Sequence, residues 1–456
     1  LNPDRSHPVG QRVNQRSHRS IAQIRAGFKH GKDELIAAFL QERPQAAAAR
    51  RLVKALTTLV DRSLRELWAE HDMPDGAALL AVGGYGRGEL FPYSDVDVLV
   101  LLPAAADAQG VAPDGGPQNN AMEGVEAFIT ACWDIGVEIG SSVRTTAECV
   151  DEAQRDVTIQ TALLESRCLA GSRQAFARFS RAMAAVMDPA AFLRAKTLEM
   201  RQRHVKFENT PYALEPNCKE SPGGLRDLQV LVWVARAAGL GRTWREMAVK
   251  GLLTRFEVSQ LEKQEGILKL IRARLHAVAR RREDRLVFDL QTAVAETFGY
   301  TSTRNQRSSE LLMRDFYWAA KAVSQLNQIL LLNLEERILG SSDAPMRPIN
   351  ARFLDRGGML EVSHDGLYDD NPHAILETFL IYQQTPGVQG LSARTLRALY
   401  NARNLMDAEF RRDPLNRELF LDILRQPRGI THAMRLMNQT SVLGRYLWVF
   451  RRIVGR

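Results

Sequence analysis

Between residues 46 and 71 the apolar positions Leu52, Leu56, Val60, Leu64 and Leu67 recur every three or four residues, which puts them on one face of a helix. "HDMPDG" at 71–76 ends that helix. The period then changes. "AALLAV" at 77–82 and "DVDVLVLL" at 95–102 are short, nearly continuous apolar runs bounded by turn residues, and both predict buried strands. "AMEGVEAFITACWDIG" returns to a helical pattern, and "VEIGSSVRT" at 137–145 is a third strand candidate. "PAAADAQGVAPDGGPQNN", 103–120, has the composition of a flexible insertion.

After about residue 147 strand signals nearly vanish and helical patterns run to about 340, with Pro and Gly gathered mainly at 209–224. The organisation expected is a helical extension over 1–75, a small α/β unit over 76–147, a helical domain over 148–340 and a mixed region over 341–456. In that last region "GGMLEVSHDGLYDDNP" predicts a short hairpin.

Composition narrows the class. The chain has 456 residues, 45% hydrophobic and 25% charged, an ordinary globular balance that predicts two or three domains. No apolar run approaches the roughly 20 residues needed to span a bilayer. The start lacks the apolar core of a signal peptide, and the first residue is not Met, as expected of a fragment. Cys132, Cys149, Cys168 and Cys218 are scattered, with no CxxC and no zinc-ligand spacing, which predicts reduced thiols in the cytoplasm. A net charge of +8 suits a phosphate-rich ligand or an acidic partner. The charge is spread out, however. In "RRRED" at 280–284 and the following Arg285, the arginines Arg281, Arg282 and Arg285 with Glu283 and Asp284 predict an ion-pair network at a helix end rather than an active site.

The stretch that carries chemistry is "AVGGYGRGELFPYSDVDVLVLL", 81–102. Asp95 and Asp97 stand at i and i+2 on a predicted strand, so their carboxylates project from one face. Such a pair binds a hard divalent cation such as magnesium. Upstream, Gly83 and Gly84 end the first strand. Glycine there lets the backbone turn sharply and bring its N–H groups close to a phosphate. "YGRGEL" predicts the first turn of a helix, and Arg87 adds a fixed positive charge. The spacing places a triphosphate between glycines and metal. Ser94 reads equally as a turn residue or as a phosphate hydrogen-bond partner.

"GGYGRGELFPYSDVDVLVL" resembles the signature of the polymerase-beta-type nucleotidyltransferase superfamily. It is most similar to the family that uridylylates and deuridylylates the nitrogen-signalling protein PII. "EPNCKESPGGLRDLQVLVWVA" at 215–235, "LHAVARRREDRLVFDLQ" at 275–291 and "RLMNQTSVLGRYLWVFRRIVGR" at 435–456 extend the resemblance along nearly the whole chain. It implies an α+β fold that is predominantly α overall: a small polymerase-beta-like nucleotidyltransferase domain followed by a helical-bundle domain. The implied activity transfers UMP from the co-substrate UTP to a tyrosine of PII with release of pyrophosphate, using two Mg2+ ions. Asp95 and Asp97 would be catalytic metal ligands, with Glu138 the candidate for the third carboxylate that such sites carry and Asp134 the lesser alternative.

In "PNCKESPGGLRDLQ", Pro222, Gly223, Gly224 and Asp227 make a good helix entry. The functional reading, which the resemblance favours, has Lys219 and Arg226 closing on the triphosphate. Family members continue into a metal-dependent phosphohydrolase domain and glutamine-sensing domains. The dipeptides His71-Asp72 and His364-Asp365 read as turns, so those activities are expected to lie outside this chain. Competing readings are an adenylyltransferase acting on glutamine synthetase, a small-molecule nucleotidyltransferase, an enzyme that extends RNA ends, and a non-catalytic regulator binding nucleotide or PII. The strings argue against the first two, the absence of an RNA-binding motif against the third, and the intact Gly-Gly and Asp-x-Asp against the last. No membrane partner is expected.

Overall fold

The computed structural model describes residues 19–103, 118–340 and 345–453; most of the expected insertion at 103–120 lies outside them. The fold is α+β and predominantly helical. Helices α1 (Ile21–Gln41) and α2 (Ala46–Glu70) lead into β1 (Ala78–Ala81), a one-turn helix α3 (Gly83–Gly86) and β2 (Val96–Leu102). Then come α4 (Gln118–Asp134), β3 (Ile139–Thr145), α5 (Thr146–Arg155), α6 (Val157–Leu164), β4 (Arg167–Gly171), α7 (Arg173–Ala185) and α8 (Pro189–Lys206). The helical part continues through α9 (Leu225–Ala237), α10 (Trp244–Val249), α11 (Arg255–Ala279), α12 (Phe288–Thr297) and α13 (Ser308–Leu339).

The first sheet has the order β3-β2-β1-β4, with β2 and β3 parallel and the other neighbours antiparallel. Period-two alternation splits it into two apolar faces. Leu79, Ala81, Val98 and Val100 pack with Leu64 and Leu67 of α2 and Phe128 of α4. Ala78, Leu80, Leu99 and Leu101 pack with Cys149 of α5 and Phe179 and Met183 of α7. Asp97 belongs to this second face, at the end of β2 that α5 and α7 leave open.

Two local expectations need correction. β4 carries no visible strand signal, since "RCLAG" contains a single well-buried apolar residue, Leu169. It is a strand because β1 offers it a ladder, from Ala78↔Gly171 to Ala81↔Arg167. The helical turn after β1 is Gly83–Gly86, not "YGRGEL", because Gly83 at φ 56 reverses the chain at once.

The N-terminal helices are not a detached arm. One apolar core runs from α1 and α2 under the sheet into α9, α11 and α13. Helices α2 and α11 approach so closely that a Cβ on Gly266 would lie 2.6 Å from that of Ala46.

A second sheet joins β5 (Met346–Pro348), β6 (Phe353–Arg356), β7 (Met359–Val362) and β8 (Gly390–Leu391) in that order. Its hairpin starts earlier than the glycines suggested. Gly357 and Gly358, with φ 58 and 83, form the β6–β7 turn rather than the entry. "GLYDD" beyond it ends in the short helix Leu367–Asp370. No helix among the described residues is long and apolar enough to cross a membrane.

Candidate active site

The turn from β1 to β2 is held from three sides. Tyr85 is buried and donates its hydroxyl to Asp61 of α2 at 2.8 Å; Arg167 of β4 grips the same carboxylate at 2.6 and 2.9 Å. Burial and the Asp61 charge push the Tyr85 phenol far up, so it stays a donor. Arg87 bonds Glu89 at 2.8 Å and pairs with Glu165, while Glu89 also pairs with Lys269 of α11. Burial opposes the charge on Glu89, yet Lys269 and Arg87 hold its carboxyl well below the usual range. Further along, the Arg272 guanidinium lies 4.2 Å over the Phe91 ring, and His276 contacts the Pro92 carbonyl.

Arg87, expected to add positive charge for the phosphates, is held here by two carboxylates of the protein, Glu89 and Glu165. It fastens the glycine turn to the helical part. Gly83 and Gly84 open α3, where the first N–H groups of a helix have no intrahelical partner, and Val82 adds no side-chain cap. Ser94 sits in the turn after Tyr93, donating its N–H to the Phe91 carbonyl at 3.0 Å. Tyr93 itself has φ 61.

Strand β2 starts at Val96, so Asp95 immediately precedes the ladder and Asp97 lies inside it. Both side chains are exposed. The Asp97 carboxylate is cradled by two glycines: a Cβ on Gly140 would lie 2.7 Å from Oδ1 and one on Gly83 3.5 Å from Oδ2. Although its side chain is exposed, partial desolvation against its neighbours pushes the Asp97 carboxyl above its usual range, and the Lys219 charge pulls it part of the way back. Lys219 is in turn depressed by burial, then by Arg226 and Arg272. The helical part thus sets the Lys219 charge within electrostatic reach of Asp97, while its ammonium lies 3.8 Å from Glu220.

The loop that delivers Lys219 is built to keep its shape. Asn217 Oδ1 accepts from the N–H groups of Lys219 and Glu220 at 2.9 and 2.8 Å. Asp227, fully buried, accepts from Arg203 at 2.6 Å, His204 at 2.9 Å and the Gly223 N–H at 2.7 Å. Burial disfavours its charge, but His204 and Arg203 outweigh that and hold the carboxyl below its usual range. Arg226 faces this loop and not the cleft: it bonds Glu220 at 3.0 Å and Gln229 at 2.9 Å and covers the Trp233 ring.

Glu138 stands one step before β3. The register Val96↔Ile139 sets it beside Asp95 and on the same face. It lies in the field of Lys32 of α1, whose ammonium covers the Tyr93 ring at 4.4 Å. Among the described residues no three His, Cys, Asp or Glu side chains are gathered closely enough to cage a metal ion. The donor set still suits magnesium. Asp95 and Asp97 supply hard oxygens on one face, the glycines leave room for them, and a cation already sits on Asp95, the Arg282 guanidinium.

That ion pair, with a sequence separation of 187, is what local reading missed. The segment 280–285 does form an ion-pair network, but the network includes a site carboxylate. A signal was available: 215–235 and 275–291 both resemble family strings, and they pair in space. Cys218 donates to the Asp284 carbonyl at 2.7 Å and Leu286 to the Pro216 carbonyl at 2.9 Å.

The cradle makes one prediction here. Gly140→Ala should shift the Asp97 carboxylate and lower kcat/KM by on the order of 10²-fold. The melting temperature should change little, since the contact is with an exposed side chain. Wild-type kcat/KM in that variant would show that the close approach of Gly140 does not matter.

Comparison with known proteins finds three matching family models and a set of similar enzymes. The nucleotidyltransferase domain family matches residues 61–148. GlnD PII-uridylyltransferase matches 191–331, and the uridylyltransferase GlnD third domain matches 353–446. The bifunctional uridylyltransferase/uridylyl-removing enzyme of Cupriavidus pinatubonensis is 58% identical over 435 residues, 95% of this chain and 48% of that enzyme. Those of Ralstonia nicotianae and Burkholderia orbicola are 57% and 55% identical, over 90% and 95% of this chain. The chain spans about half the length of the curated relatives it matches.

Proposed function

Because this chain belongs to the GlnD PII-uridylyltransferase family, we propose that it is a nucleotidyltransferase that moves the uridylyl group of UTP to a tyrosine hydroxyl of PII and releases pyrophosphate. The observation that carries the reading is Asp97 lying against Gly83, with Asp95 two residues earlier on the same face and the Lys219 charge acting on Asp97 from the helical part. No covalent enzyme intermediate is needed.

Asp95 and Asp97 would hold the divalent cations, and Glu138, beside Asp95 on the same face, would be the third carboxylate. Magnesium supplies charge neutralisation on the triphosphate and a lowered pKa for the attacking hydroxyl. The N–H groups of Gly83 and Gly84 bind phosphate oxygens where a side chain would block approach. Lys219 counters the negative charge that grows on the departing pyrophosphate. Arg87, Tyr85 and Arg167 keep the turn in place, and placement is a large share of what such a site contributes to in-line phosphoryl chemistry. The relatives' name also includes a removing activity; the residues assembled here support transfer.

The test is the intact mass of PII after incubation with the chain, magnesium and equal UTP, CTP and ATP. One uridylyl group per PII subunit is the expected gain. No gain from a folded, UTP-binding chain would refute the assignment of PII as acceptor, and an adenylyl gain would refute the donor.

A further inference from the structure

Within 280–285, two arginines find acidic partners on their own side of the cleft. Arg281 pairs with Glu283 at 2.8 Å and Arg285 with Glu215 at 2.9 Å. Arg282 instead crosses to the nucleotidyltransferase part and pairs with Asp95. Its loop is not a loose surface segment. Arg280 ends α11 in the left-handed region at φ 53. Asp284 is bound by Arg272 at 2.6 Å and His276 at 2.9 Å, and the Asn217↔Arg285 bridge ties the loop to the segment bearing Lys219. The backbone is fixed while the Arg282 side chain itself stays exposed, 56% accessible, as does Asp95 at 45%.

We infer that Arg282 is a triphosphate-binding residue of this site, parked on Asp95 while no divalent cation is there and transferred to the polyphosphate when the cation arrives. The inference rests on the proposed reading of Asp95 as a metal ligand. An exposed ion pair is weak and screened, so a divalent cation with two hard carboxylates displaces it. The displaced guanidinium is then beside that cation, where only an anion stabilises it. A nucleoside triphosphate offers phosphate oxygens that match the planar fork of donors bidentately. Arg282 on the Asp95 side and Lys219 on the Asp97 side would clasp the triphosphate from the helical part. On this account the guanidinium also keeps the two adjacent carboxylates from repelling each other in the empty enzyme.

The experiment compares the full chain with Arg282→Ala in two binding titrations, neither of which needs turnover. Without nucleotide, Mn2+ should bind the variant more tightly, by up to about fivefold, since a competing cation is gone. With saturating Ca2+, UTP should bind the variant more weakly, by about tenfold, the worth of one charge-assisted contact. Arg282→Lys should recover part of the UTP affinity, because it keeps the charge and loses the fork. Unchanged or weaker Mn2+ binding in Arg282→Ala overturns the inference, as does unchanged UTP affinity. If neither protein binds Mn2+, the inference and the metal-site reading fall together. If the two shifts appear but PII gains no mass, Arg282 keeps its role and the acceptor assignment alone falls.

Discussion

Asp97→Asn is expected to abolish the proposed uridylyl transfer, by on the order of 10³-fold or more, equivalent to about 4 kcal/mol of barrier, and to leave the fold intact. The two halves of this expectation have one cause. Asp97 sits between Gly83 and Gly140, and partial desolvation lifts its carboxyl above the usual range. The sign of the linkage follows. An acid whose folded pKa is raised disfavours its charged form, so its ionisation costs stability once pH passes the unfolded value. Because the side chain remains exposed, that cost is small, and removing the charge should leave the melting temperature unchanged or slightly higher. A bound divalent cation would relieve the same cost. The checks are steady-state transfer and thermal unfolding of the same preparation. Activity above a tenth of wild type, or a collapse of the fold, would show that Asp97 is a structural carboxylate.

Asp227→Ala gives the opposite combination. Asp227 is buried between Arg203, His204 and the Gly223 N–H. Its removal strands a guanidinium and a buried N–H, a loss of about 3–5 kcal/mol for breaking a buried pair from one side. The urea midpoint should fall accordingly. The loop that carries Lys219 loses its anchor at the same time, so the proposed UTP binding should weaken even at temperatures where the protein is folded. Asp227→Asn keeps an acceptor for Gly223 and should lie between. An unchanged midpoint in Asp227→Ala would mean that Arg203, which also donates to the Glu220 carbonyl at 2.8 Å, holds the loop without the carboxylate.

Much of the fold was legible from spacing. The apolar period over 46–71 marks α2 within a residue, the runs at 77–82, 95–102 and 137–145 contain β1, β2 and β3, and Gly83 of the Gly-Gly pair and Asp97 of Asp-x-Asp do meet across the β1–β2 turn. These features are local. A period of two or 3.6 decides which side chains share a face, and a glycine at positive φ decides where the chain reverses, whatever the distant chain does.

What only the tertiary structure decided is where the charges go. Strand β4 exists because β1 presents an open ladder, not because "RCLAG" favours extension. Arg87 and Arg226 resemble phosphate ligands in the sequence, yet folding brings Glu89, Glu165 and Glu220 to them first. Arg282 resembles one more surface arginine, yet the pairing of 215–218 with 284–287 carries it to Asp95. Gly140 acquires its purpose from the register of β3 on β2. The physical reason is common to all four. Burial of apolar faces sets which elements meet, with interactions strong enough to fix the packing; strand ladders, close glycine approaches and the long charged side chains then pair with whatever that packing sets beside them.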